Sequence, residues 1–304
     1  MATSQTFLAA TRCVPGRLAV RGRPLLFALV SRFHLASNRR VSYWIVILLG
    51  IVEGVTEFLP VSSTGHLLLV EYWLGIPQPT ELFNVVIQSG AVLAVVLVFA
   101  GRIRQMARDW RMPAERDYVV KLAAAFFLTA VGGLALKELG LKLPENAEPV
   151  AWATLIGGVV ILALERALKG QAGAALVTWP VAVAVGLAQL LAMSFPGTSR
   201  SGASIIIALL FGLSRPAATE FSFLVGVPTL LAAGGFKIVS ALRSPEEPQE
   251  PWFQILLGTV VAAITAFIVV RWLLHFVQNN TFVIFGWYRV VLGGLILAFL
   301  VYRT

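Results

Sequence analysis

Apolar residues run along nearly the whole of this sequence, in stretches close to the length of a bilayer crossing. Long apolar segments fall at 84–101, 118–139, 150–168, 218–241, 252–274 and 283–302, and each approaches the ~20 residues that a spanning helix requires. Two more regions, 43–75 and 179–213, are equally apolar but are interrupted at Pro60 and Pro196, each among small polar residues. Proline removes a backbone donor and opens the helical ladder, so both regions are expected to form helix–break–helix hairpins. The short alternating segments of a transmembrane barrel are absent from the sequence. The pattern predicts an all-α polytopic membrane protein with a single integral membrane domain over 41–304.

The interrupted regions align without a gap at an offset of 136 residues, placing Gly50 on Gly186, Glu53 on Gln189, Pro60 on Pro196, Ser62 on Thr198 and Ser63 on Ser199. Downstream, Thr80-Glu81 echoes Thr219-Glu220. Each half, about 43–168 and 179–302, is then a re-entrant broken-helix hairpin followed by three transmembrane helices. An odd number of crossings makes the second half enter from the opposite face. This inverted-repeat plan places a site near the bilayer midplane, between the broken helices.

Composition supports the membrane reading: 58% of residues are hydrophobic and 13% charged, about half the charge of a soluble domain. The formal charge of +9 is concentrated in residues 1–40, which hold seven arginines and no acidic side chain. The rest of the chain has 17 basic against 15 acidic residues, so no nucleic-acid partner is implied. The Arg-rich head matches an organellar transit peptide in composition. It joins no later pattern, and the favoured expectation is a working protein that starts near Val41. Basic residues of 102–121, with Arg166, Lys169, Arg215 and Arg271, are expected on the cytoplasmic side. Glu145, Glu148, Glu246, Glu247 and Glu250 are expected opposite. Cys13 is the single cysteine and the three histidines are well separated, so no disulfide, thiolate or histidine-cluster metal site can form.

The candidate chemistry lies in the two breaks. Glu53 and Glu57 are one helical turn apart in an apolar stretch, where two charges are expensive together. Either one is protonated or a cation sits between them. Ser63 and His66, three residues apart, are spaced for a nucleophile and a proton carrier. In the second break Arg200 offers a planar, permanently charged fork suited to phosphate. Ser62, Thr64 and Gly65 in the first break, and Gly197, Thr198, Ser199 and Ser201 in the second, are expected to contact substrate, with Gln189 beside them. Each cluster taken alone is more often a helix-packing surface, and Gln88 and Gln189 can act simply as polar contacts between helices. Arg289 is expected to snorkel to the interface, and Glu165, Arg166 and Lys169 to form a solvated loop. Two carboxylates, a histidine and an arginine in two aligned breaks favour a shared polar site.

Glu53-Gly-Val-Thr-Glu-Phe-Leu-Pro-Val-Ser-Ser-Thr-Gly-His66 and Pro196-Gly-Thr-Ser-Arg-Ser-Gly202 resemble the two signature motifs of the bacterial undecaprenyl-diphosphatase family of the bacitracin-resistance type. The resemblance runs from about residue 43 to the C-terminus, includes Phe83 to Gln88 and Glu220-Phe-Ser-Phe, and leaves out residues 1–40. It implies an inner-membrane hydrolase that converts undecaprenyl diphosphate to undecaprenyl phosphate and inorganic phosphate, recycling the lipid carrier of peptidoglycan synthesis. The implied site opens to the periplasm and needs a divalent cation, Mg2+ or Ca2+, for which Glu53 and Glu57 are the candidate ligands. The implied catalytic residues are Glu53, Glu57, Ser63, His66 and Arg200, with serine and water both open as nucleophile. A homo-oligomer is compatible with this reading. The type 2 acid phosphatases are excluded, because no histidine follows Arg200 until His275. A transporter or flippase of a polyprenyl phosphate is the rival from another class, since inverted repeats with broken helices also build transporters.

Overall fold

The computed structural model describes residues 42–74, 81–139, 147–243 and 252–303. The first interrupted region forms α1 (Tyr43–Thr56) and α2 (Ser63–Leu74), followed by α3 (Glu81–Val98), α4 (Ala100–Arg108), α5 (Pro113–Glu138) and α6 (Ala147–Ala167). The second forms α7 (Trp179–Ser194) and α8 (Arg200–Leu210), followed by α9 (Arg215–Arg243), α10 (Trp252–Asn279) and α11 (Val283–Arg303). Helices α5, α6, α9, α10 and α11 are long and apolar enough to cross a membrane, and α3 with α4, bent by 64° at their break, is long and apolar enough only as a pair. With that bent pair counted as one span, each half is a broken hairpin followed by three candidate crossings. Among the described residues the only β-type pairing is an isolated bridge between Ala174 and Leu213. Residues 1–40 with Cys13, the acidic loop Glu246, Glu247 and Glu250, Glu145 and Thr80 lie outside the described residues.

Helix packing repeats between the halves. Helix α10 lies along α1 and α3, and its counterpart α5 lies along α7 and α9, while α3 meets α9 and α6 meets α11. Small residues set these approaches. A β-carbon on Gly54 would stand 2.6 Å from the Ala262 carbonyl oxygen of α10, and one on Gly186 would stand 2.9 Å from the Ala125 carbonyl oxygen of α5. One apolar cluster joins α1, α2, α3 and α10 through Ile45, Leu49, Leu67, Phe83, Ile87 and Ile255. A larger one includes Val61 and Phe58 of the first break, and the Phe58 ring meets Phe223 of α9 edge-on at 5.0 Å.

Three sequence expectations are corrected. The apolar segment 84–101 does not run straight, because α3 ends at Val98 and the chain turns at Phe99 (φ −92°, ψ 13°). The turn takes Arg102 out of the apolar lane to Glu115 (2.8 Å) and Glu220 (3.2 Å), with its guanidinium 4.8 Å from the centre of the Tyr118 ring. Glu165 is not in a solvated loop. It is buried at the end of α6, where its carboxylate accepts from Arg215 Nε (3.0 Å) and the Phe282 N–H (2.8 Å), tying α6 to α9 and to the entry of α11. The gapless repeat register also fails at the second break, as the cap geometry below makes plain.

Candidate active site

Both breaks end in the same cap. Ser62 (φ 76°) and Ser199 (φ 70°) hold left-handed backbone conformations, uncommon for residues other than glycine. Each presents its hydroxyl to an N–H three residues on: Ser62 Oγ accepts from Gly65 N (3.3 Å), and Ser199 Oγ from Gly202 N (3.1 Å). The equivalences are thus Ser62 with Ser199, Ser63 with Arg200 and Gly65 with Gly202, one residue beyond the 136 offset. The additional residue sits in the second break, where Gly197 (φ +95°) passes against α6. A β-carbon there would lie 2.4 Å from the Val150 carbonyl oxygen. Ser63 and Arg200 are therefore each the first residue of a half-helix. The first N–H groups of α2 and α8 are each suited to receive an anion.

Those two first residues meet at Glu57. Ser63 Oγ donates to Glu57 Oε2 at 2.5 Å, and Arg200 Nη2 donates to Glu57 Oε1 at 3.0 Å and to Gln88 Oε1 at 3.3 Å. Glu57 is buried, whereas the Arg200 side chain keeps 22% of its exposure, enough for the guanidinium to meet a ligand. Glu53 is fully buried one turn earlier, and both its carboxyl oxygens lack a hydrogen-bond partner. Gln189, its counterpart on α7, is also buried, with Oε1 unpartnered.

His66 faces away from Ser63. Its Nδ1 lies 2.7 Å from the Ser62 carbonyl oxygen, which can only accept, so the ring proton sits on Nδ1. Its Nε2 then accepts from the Tyr288 hydroxyl at 2.6 Å, and the two rings stack. Thr64 and Tyr288 are exposed here, at the mouth of the site.

The remaining polar residues of the second break hold the two breaks together. Ser201 Oγ donates to the Leu59 carbonyl oxygen (3.0 Å) and lies 3.2 Å from Ser199 Oγ. Arg289 of α11, expected to snorkel, is instead fully buried between the breaks. Its nitrogens donate to the carbonyl oxygens of Pro60 (3.2 Å), Gly197 (3.0 Å), Thr198 (3.0 Å), Ala153 (3.1 Å) and Thr154 (3.1 Å). Gly157 of α6 makes the room, since a β-carbon there would lie 2.1 Å from Arg289 Nη2. No carboxylate among the described residues pairs with this guanidinium.

Residues 46–295 match the family described as Bacitracin resistance protein BacA. The chain belongs to the BacA family. It is 47% identical over 251 residues to an undecaprenyl-diphosphatase of Rhizobium etli (strain CIAT 652), covering 82% of this chain and 94% of the relative. It is 48% identical over 255 residues to an undecaprenyl-diphosphatase of Xylella fastidiosa (strain 9a5c), covering 84% and 97%. An undecaprenyl-diphosphatase of Xanthomonas oryzae pv. oryzae (strain PXO99A) is 48% identical over 255 residues, covering 84% and 96%.

In this BacA family member the structure gathers Glu53, Glu57, Ser63 and Gln189, all buried, with the partly exposed Arg200 and Gln88. It sets His66 at the mouth and turns Ser199, Ser201, Gly197 and Thr198 toward the join between the breaks. Arg289 and Tyr288 are the participants that sequence reasoning missed. The available signal was a charge inside an apolar span, which by default marks a functional position. Among the described residues no three His, Cys, Asp or Glu side chains converge as a metal site. The unpartnered oxygens of Glu53 are nonetheless hard donors of the kind Mg2+ and Ca2+ prefer, so the donor chemistry fits such an ion.

Proposed function

We propose that this protein hydrolyses undecaprenyl diphosphate to undecaprenyl phosphate and inorganic phosphate in a bacterial inner membrane, from a site open to the periplasm. The recycled carrier lipid would serve peptidoglycan synthesis, and higher levels of the protein would raise resistance to bacitracin. The observation that carries this reading is Glu57 joining Ser63 to Arg200, a nucleophile and an anion-binding cation on one buried carboxylate. In the proposed reaction Arg200 and the N–H groups starting α2 and α8 hold the terminal phosphoryl group. Ser63 Oγ attacks that phosphorus while its proton passes to Glu57. The bridging P–O bond breaks, and undecaprenyl phosphate leaves with the electron pair and the proton from Glu57. Water then cleaves the Ser63–phosphate ester and releases inorganic phosphate.

Both His66 ring nitrogens are engaged away from Ser63, which favours Glu57 as the base; His66 and Tyr288 shape the mouth and the Ser62 cap. Glu53, with Glu57 one turn on, would hold a divalent cation, which when bound would neutralise diphosphate charge. The C55 chain would stay among the apolar helices while its headgroup reaches the breaks.

Phosphate release by purified protein in detergent tests the reading, because micelles have no sides and turnover there is not transport. Glu57→Gln and Arg200→Ala should each lower the rate by about a hundredfold or more, and a chelator should lower it reversibly. Unchanged release in both variants would refute the assigned site.

A further inference from the structure

Behind the Glu57–Arg200 pair lies a cavity that the reaction as written leaves unused. Glu57, Arg200, Gln189 and Ser222 border it, with Phe223 and Gly226 of α9 along one wall. Its volume, about 20 Å³, suits one water molecule, which needs roughly 10–15 Å³ and two to four polar partners. The partners are present and idle. Gln189 and Ser222 are 1% and 4% exposed, yet Gln189 Oε1 and Ser222 Oγ have no hydrogen-bond partner in the chain. Buried polar atoms are rarely left so, and two such side chains lining a water-sized void mark an ordered solvent position.

We propose that this cavity holds the water that hydrolyses the phosphoryl group carried on Ser63, with Ser222 and Gln189 as its positioning residues. The proposal rests on the serine reading above. Glu57 borders the cavity and also contacts Ser63 Oγ, so one carboxylate reaches both the incoming water and the outgoing serine oxygen. In this step the water oxygen bonds to phosphorus and gives a proton to Glu57. The P–Oγ bond breaks, Ser63 Oγ takes the proton from Glu57, and inorganic phosphate departs.

Gln189→Leu and Ser222→Ala test the proposal, because each removes one polar partner of the water while leaving the rest of the site in place. In rapid-quench measurements on purified protein with undecaprenyl diphosphate, Gln189→Leu and Ser222→Ala should each release about one equivalent of undecaprenyl phosphate in a burst. Steady release of inorganic phosphate should then fall roughly tenfold or more, and phosphorylated Ser63 should accumulate in mass spectra. Wild-type steady rates without phosphoserine in both variants would overturn the proposal and leave the hydrolase reading intact. Ser63→Ala turning over at the wild-type rate would instead remove the serine reading, and this proposal with it.

Discussion

Arg289 spends five hydrogen bonds on backbone carbonyl oxygens, three of them in the two breaks. In a planar trans peptide the N–H following each such carbonyl points the opposite way, so the guanidinium also fixes where the break N–H groups point. Arg289→Met would leave the buried Pro60 and part-buried Thr198 carbonyl oxygens unpaired at ~1–3 kcal/mol each. Its melting temperature in detergent should drop sharply. Arg289→Lys keeps the charge but has fewer donors and no planar fork. It should fold, keep a KM near wild type, and lose roughly a hundredfold in kcat, as expected for a reacting group displaced by about 1 Å. The chemistry of Glu53, Glu57, Ser63 and Arg200 was legible in the sequence because charge and hydroxyls stand out in apolar helices. The part played by Arg289 was not. Its anchors are carbonyls more than ninety residues away in the chain and the space left by Gly157, and no local pattern records either.

Among the helices, the apolar runs located every crossing, and the proline breaks located both hairpins. Register was harder to read. A gapless match placed Ser63 opposite Ser199, whereas the caps place it opposite Arg200, because one additional residue at a left-handed glycine is invisible to pattern matching. The bend between α3 and α4 was likewise hidden, being set by Arg102 reaching Glu115 and Glu220 on other helices. The close approach of α1 to α10 offers a direct test. Gly54→Leu would push a side chain into the Ala262 backbone, and overpacking of this sort costs roughly 1–3 kcal/mol or more. Melting temperature should fall, and phosphate release with it, since α1 carries Glu53 and leads into Glu57.

For the whole molecule, exchange symmetry of the packing was foreseeable from the repeat, but the chemistry breaks that symmetry: a serine and an arginine occupy equivalent first positions of the two half-helices, and a carboxylate corresponds to a carboxamide at Glu53 and Gln189. Membrane sidedness is testable in a Cys13→Ser background. A cysteine at Thr64 should react with a membrane-impermeant maleimide on intact cells, and one at Lys169 only after lysis; the reverse pattern would invert the proposed orientation. The position of Arg289 bears on biogenesis as well. Helix α11 follows every other described helix in the chain, so a ribosome delivers both hairpins to the bilayer well before the guanidinium that locks them. Nascent chains stopped short of Val283 should insert yet stay protease-sensitive at the breaks, and the site should become competent only as the final helix docks.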